Sequence, residues 1–295
     1  METKKIKVCY VISVLKNSTG KGGHFHSLKA LVDEIEKEVS VSVIVIGAKI
    51  PDVIALSNLE VFNIKTNWDV FTFFDIFKIK EKINKICPDI IHAYDNTSLI
   101  IINALNLLGK KPVIFTKCGG ENPSKKLLPQ PYSKTIICFS EENLAYYKND
   151  YKFKDSILFH IPNRSKNIFS DNICAEKIRS VVGSGLVILR IGRFSPFHKK
   201  TFEQTIALFK ELSSNKNLNK IKLVLIGAIE SEDVLNELKE SCKGWDIFFF
   251  TEDEYTTEAS RLICVGDFVV GTGRSLMEAA SKGKGQALCP SAAAQ

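Results

Sequence analysis

The sequence predicts an α/β protein made of two doubly wound, parallel-sheet domains. Short runs that are apolar at nearly every position alternate along the 295 residues with longer stretches of helical periodicity. This alternation is typical of parallel strands that are joined by crossover helices and covered on both faces. The alternation occurs in two series, and a polar stretch separates them. The chain is therefore expected to fold as two similar domains.

The first series contains five predicted strands and four predicted helices. The strands are Lys7–Leu15, Val41–Ile46, Ile90–Ala93, Val113–Phe115 and Thr135–Phe139. The helices are His24–Lys37, Val70–Lys85, Thr97–Leu108 and Glu141–Lys148. We assign residues 1–168 to this N-terminal Rossmann-like domain. Residues 169–185 lie in a stretch rich in Asn, Ser and Lys, and we assign them to a linker.

The second series occupies residues 186–295, a C-terminal Rossmann-like domain that is shorter than the first. Its predicted strands are Leu186–Ile191, Ile221–Ile226, Asp246–Phe250 and Asp267–Val270. Its predicted helices are Thr201–Leu212, Ser231–Lys239, Glu254–Cys264 and Arg274–Lys282. The last five residues are typical of a tail, so we expect this domain to be truncated and its sheet to be incomplete.

Composition and charge exclude several classes of protein. Hydrophobic residues make up 45% and charged residues 25% of the chain, which excludes a disordered chain, a collagen and a coiled coil. The net charge is +7, but each half of the chain carries 20 basic residues. This even distribution argues against a nucleic-acid partner, whereas a mild positive field favours anionic ligands or an anionic membrane surface.

The cysteines and the apolar segments predict a cytoplasmic location. The closest two of the eight cysteines are 20 residues apart, so no Cys-x-x-Cys metal or redox pair exists, and the thiols are expected to be reduced. No apolar run approaches the ~20 residues that a membrane span needs. The apolar run after Lys7 leads to a glycine-rich turn without a cleavage site and is interpreted as a strand rather than a signal peptide.

Two motifs of the first series carry candidate site residues. The turn Ser18–His24 contains Gly22 and Gly23 before a helical pattern, which suits close backbone approach to an anion at a helix N-terminus. The alternative is a flexible turn between a strand and a helix. In the segment Pro88–Asp95, His92 lies where an apolar strand ends, and it can orient a substrate hydroxyl or act on a proton. The alternative is a histidine satisfied by its neighbours.

Two motifs of the second series carry positive charge next to helix starts. Arg193 follows a strand and Lys200 accompanies the next helix, an arrangement that suits a diphosphate. The alternative is solvated surface charge.

The other motif of this series is Asp267–Gly283. It continues from a strand through Gly273 to Arg274, Ser275 and Glu278. Backbone amides of this turn and Arg274 can face phosphate, while Glu278 can accept hydrogen bonds from ribose. The alternative is a helix cap followed by a surface glutamate.

Together these motifs resemble the GT-B glycosyltransferases of family 4, which are retaining and use nucleotide sugars. The resemblance covers nearly the whole chain and implies two Rossmann-like domains that face each other across a cleft. The matching segments are Gly22-Gly23-His24, Pro88 to His92, Ile161-Pro162-Asn163, Gly192-Arg193 with Lys200, and Asp267 to Gly283.

The resemblance also implies roles. Gly22 and Gly23 bring amides to the donor, and His92 contacts the transferred sugar. Arg193 and Lys200 neutralise the leaving diphosphate without a metal ion. Glu278 matches the second glutamate of the family signature, which holds the ribose, and no cofactor is implied.

The sequence departs from the family pattern at four points. The first signature glutamate falls at position 270, which is Val270. The loop before the last helix is shorter, so we expect Arg274 and Ser275 to supply contacts to the sugar or phosphate. The spacing from Arg193 is stretched, which leaves Lys199 as an alternative phosphate ligand. The strands and helix that usually close the second domain are not recognisable.

The function that the resemblance implies is transfer of a sugar from a nucleotide-diphosphate donor to a glycan or lipid-linked acceptor in surface polysaccharide biosynthesis. The alternatives are a GT-B sugar epimerase, and an inactive donor-binding subunit of a glycosyltransferase complex. The loop Thr116–Pro123 with Glu121 is a candidate acceptor loop or a plain polar loop.

The segment Trp68–Ile86 interleaves aromatic residues with lysines. It is interpreted as an ordinary crossover helix, with a membrane-surface helix as the alternative. Peripheral contact with the inner face of the cell membrane therefore stays open.

Overall fold

The chain forms two compact units, each built on its own parallel sheet. The computed structural model describes residues 5–14, 22–55, 60–66, 73–106, 111–119, 131–162, 168–215 and 220–288. The units are Met1–Asn163 and Arg164–Gln295. Every strand pairing in both sheets is parallel. The predicted fold class, α/β with two Rossmann-like parallel-sheet domains, is confirmed.

The first unit has a seven-stranded sheet with the order β3-β2-β1-β4-β5-β6-β7. Its strands are β1 (Lys7–Val14), β2 (Ser40–Gly47), β3 (Glu60–Ile64), β4 (Ile90–Ala93), β5 (Val113–Lys117), β6 (Thr135–Cys138) and β7 (Ile157–His160). Its helices are α1 (Gly23–Ile35), α2 (Asp52–Ala55), α3 (Phe73–Ile86), α4 (Asn96–Asn106) and α5 (Glu141–Asn149). The order of the strands reverses between β1 and β4, which makes this pair the switch point of the sheet.

Helices cover both faces of the first sheet, as the apolar runs of the sequence require. Tyr10 and Ile12 of β1 pack on one face with Phe25 of α1. Val11 of the same strand packs on the opposite face with Ile79 of α3. Because alternate residues of a strand point to opposite faces, burial on both sides demands an unbroken apolar run. Burial of each such apolar side chain stabilises the folded chain by roughly 1.5–3 kcal/mol.

The second unit has a five-stranded sheet with the order β10-β9-β8-β11-β12. Its strands are β8 (Leu186–Ile191), β9 (Ile221–Ile226), β10 (Ile247–Phe250), β11 (Phe268–Gly271) and β12 (Gly285–Leu288). Its helices are α6 (Asn172–Val182), α7 (Pro196–Ser213), α8 (Glu232–Ser241), α9 (Asp253–Thr256) and α10 (Arg274–Ser281). A 3₁₀ helix, Ala259–Val265, follows α9. The switch point of this sheet lies between β8 and β11.

Several elements differ from the sequence prediction. Residues 169–185 are not simply a linker, because α6 lies within them and packs in the core of the second unit through Ile178 and Val182. The strands β3, β7 and β12 were not predicted. β7 borders its sheet and leaves Phe159 half-exposed, so it lacks a continuous buried run. The predicted helix Glu254–Cys264 is instead the short α9 followed by the 3₁₀ helix.

An aspartate ties the two central strands together in each sheet. In the first unit the backbone N–H of Lys7 donates to Asp89 Oδ2 at 2.8 Å, just before β4 begins. In the second unit the backbone N–H of Val187 donates to Asp267 Oδ2, also at 2.8 Å, just before β11 begins. The Arg179 guanidinium of α6 supports Asp267 at 3.3 Å. These aspartate clasps fix the strands that border each switch point.

Within the described ranges, the structure contains no helix that is both long enough and apolar enough to cross a membrane.

Candidate functional site

The predicted donor residues of the second unit start from one edge of its sheet. β8 ends at Ile191 and β11 ends at Gly271, and these strands are hydrogen-bonded neighbours at the switch point. Doubly wound sheets bind ligands at the carboxyl ends of their strands at this position. The structure therefore brings two segments to the same edge. They carry Arg193 and Lys200 on one side, and Gly273, Arg274, Ser275 and Glu278 on the other.

Arg193 is held in a defined orientation by two partners. Its Nη1 donates to Glu230 Oε1 at 2.8 Å, and its Nη2 lies 3.2 Å from Nε2 of His198. The arginine side chain is 31% exposed and the glutamate side chain 12% exposed. Glu230 follows β9 and is fixed by its backbone N–H, which donates to the Phe194 carbonyl at 3.0 Å. The partly exposed guanidinium is thus held in a fixed orientation as one half of an ion pair with Glu230.

His198 is a functional candidate that the sequence reasoning missed. Burial is the main cause that lowers the pKa of its imidazole to about 4, and the nearby Arg193 and Arg190 guanidinium groups contribute to the same shift. The ring is therefore neutral at physiological pH, and its Nε2 can accept the hydrogen bond from Arg193. The only sequence signal was its place five residues after this arginine, at the start of α7.

The structure distinguishes Lys199 from Lys200. The Lys199 ammonium forms an ion pair with Glu237 of α8 and lies 4.0 Å from Glu203. The hydrogen bond to Glu237 raises the pKa of Lys199. Lys200, the next residue of α7, is exposed. The Lys199 ammonium is thus paired with a glutamate of α8 and lies near a second glutamate of its own helix.

The turn before α10 leaves room for a ligand at its glycine. Gly273 has a φ of +61°, a left-handed conformation that favours glycine, and a Cβ added there would meet no atom within 4 Å. The Ser275 hydroxyl donates to the Thr272 carbonyl at 3.3 Å, which closes the turn. The N-terminus of α10 and the open side of Gly273 therefore face the same space.

Glu278 is buried and has two partners. The Arg274 Nε donates to its Oε1 at 2.5 Å, and the Ser260 hydroxyl donates to its Oε2 at 2.8 Å. The carboxylate is only 4% exposed, and Nη1 of Arg274 is buried without a hydrogen-bond partner. Glu278 is therefore a positioned buried acceptor rather than a surface glutamate, and Arg274 is its counter-ion.

Val270, where the family signature has its first glutamate, belongs to the hydrophobic core. It is 2% exposed and packs with Phe202 and Phe209 of α7 and Ile188 of β8. No carboxylate can be supplied from this position. Any compensation must come from the turn that follows.

In the first unit, the predicted glycines begin α1 directly after the undescribed segment 15–21. Gly22 is the N-cap residue, and a Cβ there would come within 2.8 Å of the His24 ring. Gly23 is exposed, and a Cβ there would meet nothing. The amides of this first helical turn come after β1, one of the two strands at the switch point. The rest of the predicted turn, from Ser18 to Lys21, lies outside the described residues.

His92 ends up inside the first sheet, next to the switch point. It is 4% exposed on β4, its Nε2 lies 2.7 Å from the Thr116 hydroxyl, and its ring is 4.7 Å from that of Tyr10. Burial lowers the pKa of His92 to about 3. The imidazole is neutral at physiological pH, so it can share a hydrogen bond but does not carry a second proton there.

Asp95, from the same motif, serves the fold. Its carboxylate accepts four hydrogen bonds, from the backbone N–H and the hydroxyl of Ser13 and from the same two groups of Ser98. It therefore joins the end of β1 to the first turn of α4. In the candidate acceptor loop Thr116 is buried, whereas Glu121 lies outside the described residues.

Comparisons with known proteins agree with the fold of both units. The sequence model of the family described as "Glycosyl transferase 4-like" matches residues 7–160. A search of curated proteins by sequence returns no significant match.

Solved structures share the fold at low sequence identity. HepE of Anabaena, in complex with UDP and glucose, superposes with a TM-score of 0.71 at 14% identity, over 98% of this chain and 82% of that one. Sucrose-phosphate synthase of Thermosynechococcus elongatus has a TM-score of 0.72 at 14% identity, over 96% and 81%. UDP-GlcNAc 2-epimerase of Neisseria meningitidis has a TM-score of 0.64 at 12% identity, over 96% and 82%.

The matched region, residues 7–160, is more than half of the chain. Both switch points carry the residues on which the resemblance rested. The protein is therefore a glycosyltransferase of the glycosyl transferase 4-like family, with the GT-B fold of two Rossmann-like units.

Proposed function

We propose that this protein moves a sugar from a nucleotide-diphosphate-sugar donor to a glycan or lipid-linked acceptor with retention of configuration. The step belongs to surface polysaccharide biosynthesis in this proposal. One observation carries it: Arg193 and the Gly273–Arg274 turn leave neighbouring strands at the switch point of the second sheet. Strand ends about 5 Å apart are close enough for both segments to contact a single diphosphate in this proposal.

The leaving diphosphate is the group that these residues suit. A guanidinium binds phosphate in a fixed fork, and Arg193 is aligned by Glu230 and His198. The amides of the turn at Gly273 add donors that need no reorganisation during the reaction. Lys200 adds a second positive charge. In the proposal these groups supply the charge that a divalent metal supplies elsewhere.

The nucleoside of the donor is assigned to Glu278. The two contacts of Glu278, from Arg274 and Ser260, hold its carboxylate in the orientation that a ribose hydroxyl would meet. Retention follows a front-face course, in which the leaving phosphate assists deprotonation of the acceptor and no protein nucleophile is required.

The known complexes support the donor class. HepE has been solved with UDP-glucose, and the Neisseria epimerase with UDP-GlcNAc. The likeness to the epimerase also keeps a sugar epimerase as the second candidate function. An inactive donor-binding subunit is the third, because Val270 replaces a signature glutamate.

One experiment separates the three functions. The full chain is incubated with a panel of nucleotide sugars, with and without membrane extract, and nucleotide release and sugar identity are followed. Nucleotide release that requires the extract, with an α-linked product from an α-linked donor, is expected. An isomerised nucleotide sugar without extract identifies an epimerase instead.

Binding without release identifies a donor-binding subunit. Arg193→Ala is expected to abolish release. Arg261→Ala, at an exposed arginine of the same unit, is the matched control and is expected to leave release unchanged.

A further inference from the structure

The outward face of α3 exposes two large aromatic side chains. Phe74 is 76% exposed and Phe77 is 55% exposed, and the two lie one helical turn apart. The opposite face buries Ile79 and Ile83 in the core of the first unit. The helix thus packs on the core through its opposite face, while both phenylalanine side chains keep more than half of their surface in solvent. Adjacent exposed aromatics of this kind mark an interaction surface.

A groove rich in lysine runs beside these aromatics. It lies between the end of β3 and α3 and has a volume of about 410 Å³. Its lining residues are Asn63, Ile64, Lys65, Lys78, Glu81, Lys82 and Lys85. Four lysines and one glutamate give the lining a net charge of +3. On the helix, Lys78 and Lys85 fall on the same outward face as Phe74, because residues spaced by four and eleven positions nearly eclipse at 3.6 residues per turn.

The groove also holds an acceptor whose hydrogen bond is unmet. The side-chain oxygen of Asn63 is buried and has no hydrogen-bond partner. A buried polar atom without a partner is costly unless a ligand or water satisfies it. The lysine ammonium groups can bind phosphate oxygens, and the Asn63 oxygen beside them needs a hydrogen-bond donor. A phosphodiester that carries a hydroxyl group has both features. The headgroup of a glycerol phospholipid has this chemistry.

We propose that this surface, formed by Phe74 and Phe77 together with the lysine groove, docks the protein on an anionic lipid bilayer. The aromatic side chains enter the boundary between headgroups and acyl chains, while the lysines contact lipid phosphates. Charge complementarity favours an anionic bilayer as the partner. The phenylalanines need an apolar layer and the lysines need an anionic layer, and both groups lie on one face of the helix. The docking concerns the first unit alone and does not depend on the proposed transferase activity.

The test is co-sedimentation of the full chain with lipid vesicles. One set consists of phosphatidylcholine alone, and the other contains phosphatidylglycerol in addition. Strong binding only to the anionic vesicles, weakened by added salt, is expected. Equal binding to both sets, or no binding to either, overturns the proposal.

Two variants assign the binding to this surface. Lys65→Gln, Lys78→Gln and Lys85→Gln together are expected to lower the partition coefficient about 100-fold, at roughly one factor of five per lysine. Phe74→Ser with Phe77→Ser is expected to lower it at least about tenfold while the salt dependence remains. All five side chains are exposed, so circular dichroism should show a native fold.

The matched control removes three exposed lysines elsewhere on the same unit, Lys37, Lys134 and Lys148. An effect equal to that of the groove variant contradicts a specific surface. Displacement from the vesicles by soluble glycerol phosphate at constant ionic strength would instead identify a phosphate site. A change of oligomeric state in the phenylalanine variant, without loss of vesicle binding, would identify self-association. Either result overturns bilayer docking.

Discussion

At the scale of single residues, the candidate site consists of charged groups that other side chains already orient. Arg193 is aligned by Glu230 and His198, and Glu278 is aligned by Arg274 and Ser260. Preorganisation of this kind lowers the cost of binding a charged ligand, since less side-chain freedom is lost. The partners of Arg193 lie 37 and five residues away along the chain, so no single sequence motif contains all three residues.

The two lysines at the start of α7 should differ in their effect on catalysis. Lys200→Ala is expected to lower kcat/KM for the nucleotide sugar at least about tenfold, because a charge near the leaving diphosphate is lost. Lys199→Ala is expected to change it less than about threefold, because this ammonium is paired with Glu237. Steady-state kinetics on both variants check this. A larger loss for Lys199→Ala would identify that lysine as the phosphate ligand.

Removing the counter-ion of Glu278 should cost stability. Arg274→Met leaves a buried carboxylate without its main donor, and a loss of about 3 kcal/mol in the free energy of unfolding is expected. Adding Glu278→Gln to the same chain should restore more than half of this loss, because the uncompensated charge is gone. Urea unfolding measures both. Arg261→Met, in an exposed pair, is the control and should cost less than about 0.5 kcal/mol.

His92 should make the folded chain sensitive to acid. Its pKa is about 3 in the folded protein and near 6.5 when the chain is unfolded, so the unfolded chain takes up the proton first as the pH falls. Stability should therefore decline below about pH 6.5, by roughly 2 kcal/mol at pH 5 from this residue. His92→Gln should lose less stability than the wild type between pH 7 and pH 5. The same substitution at exposed His160 is the control, and equal slopes for all three proteins would contradict the assignment.

At the scale of elements, the central strands and helices were predictable and the border elements were not. β8, β9 and β4 begin and end at the predicted residues because they are largely apolar runs that are buried on both faces of their sheets. β3 and β12 are short strands of mixed polarity, and each is recognised as a strand by its pairing with β2 or β11. α6 was not predicted, because the polar residues on its exposed side gave this stretch the composition of a linker.

The join between β1 and α4 depends on one carboxylate. Asp95→Ala removes four hydrogen bonds to Ser13 and Ser98, and a loss of about 3 kcal/mol in the free energy of unfolding is expected. Asp52→Ala, at an exposed aspartate in the first turn of α2, should cost less than about 1 kcal/mol. Equal losses in chemical denaturation would show that Asp95 does not join the two elements.

At the scale of the whole molecule, both units repeat one plan with a switch point beside the first strand. The sequence predicts this plan and places candidate residues after the four strands concerned, because apolar runs and glycine turns mark strand ends. It cannot predict which polar side chains pair at those ends. Glu278 looked like a helix surface residue or a ribose ligand, and only packing against Ser260 and Arg274 shows that it is buried.

Nucleotide binding should therefore be visible at one sheet edge of the second unit. Addition of UDP is expected to slow amide hydrogen exchange in residues 192–200 and 272–278, which leave β8 and β11 at the switch point. The border strand β10 serves as an internal control and should be unaffected. Protection confined to β10, or absent from both segments, would contradict the assignment of the donor site.

The aspartate clasps also bear on how the chain folds during synthesis. Each joins residues about 80 positions apart, 82 in the first unit and 80 in the second, and neither draws on the other unit. A nascent chain that has released Ala93 from the ribosome already holds both strands of its first central pair. The N-terminal half can consequently begin to assemble while most of the C-terminal half has yet to be translated.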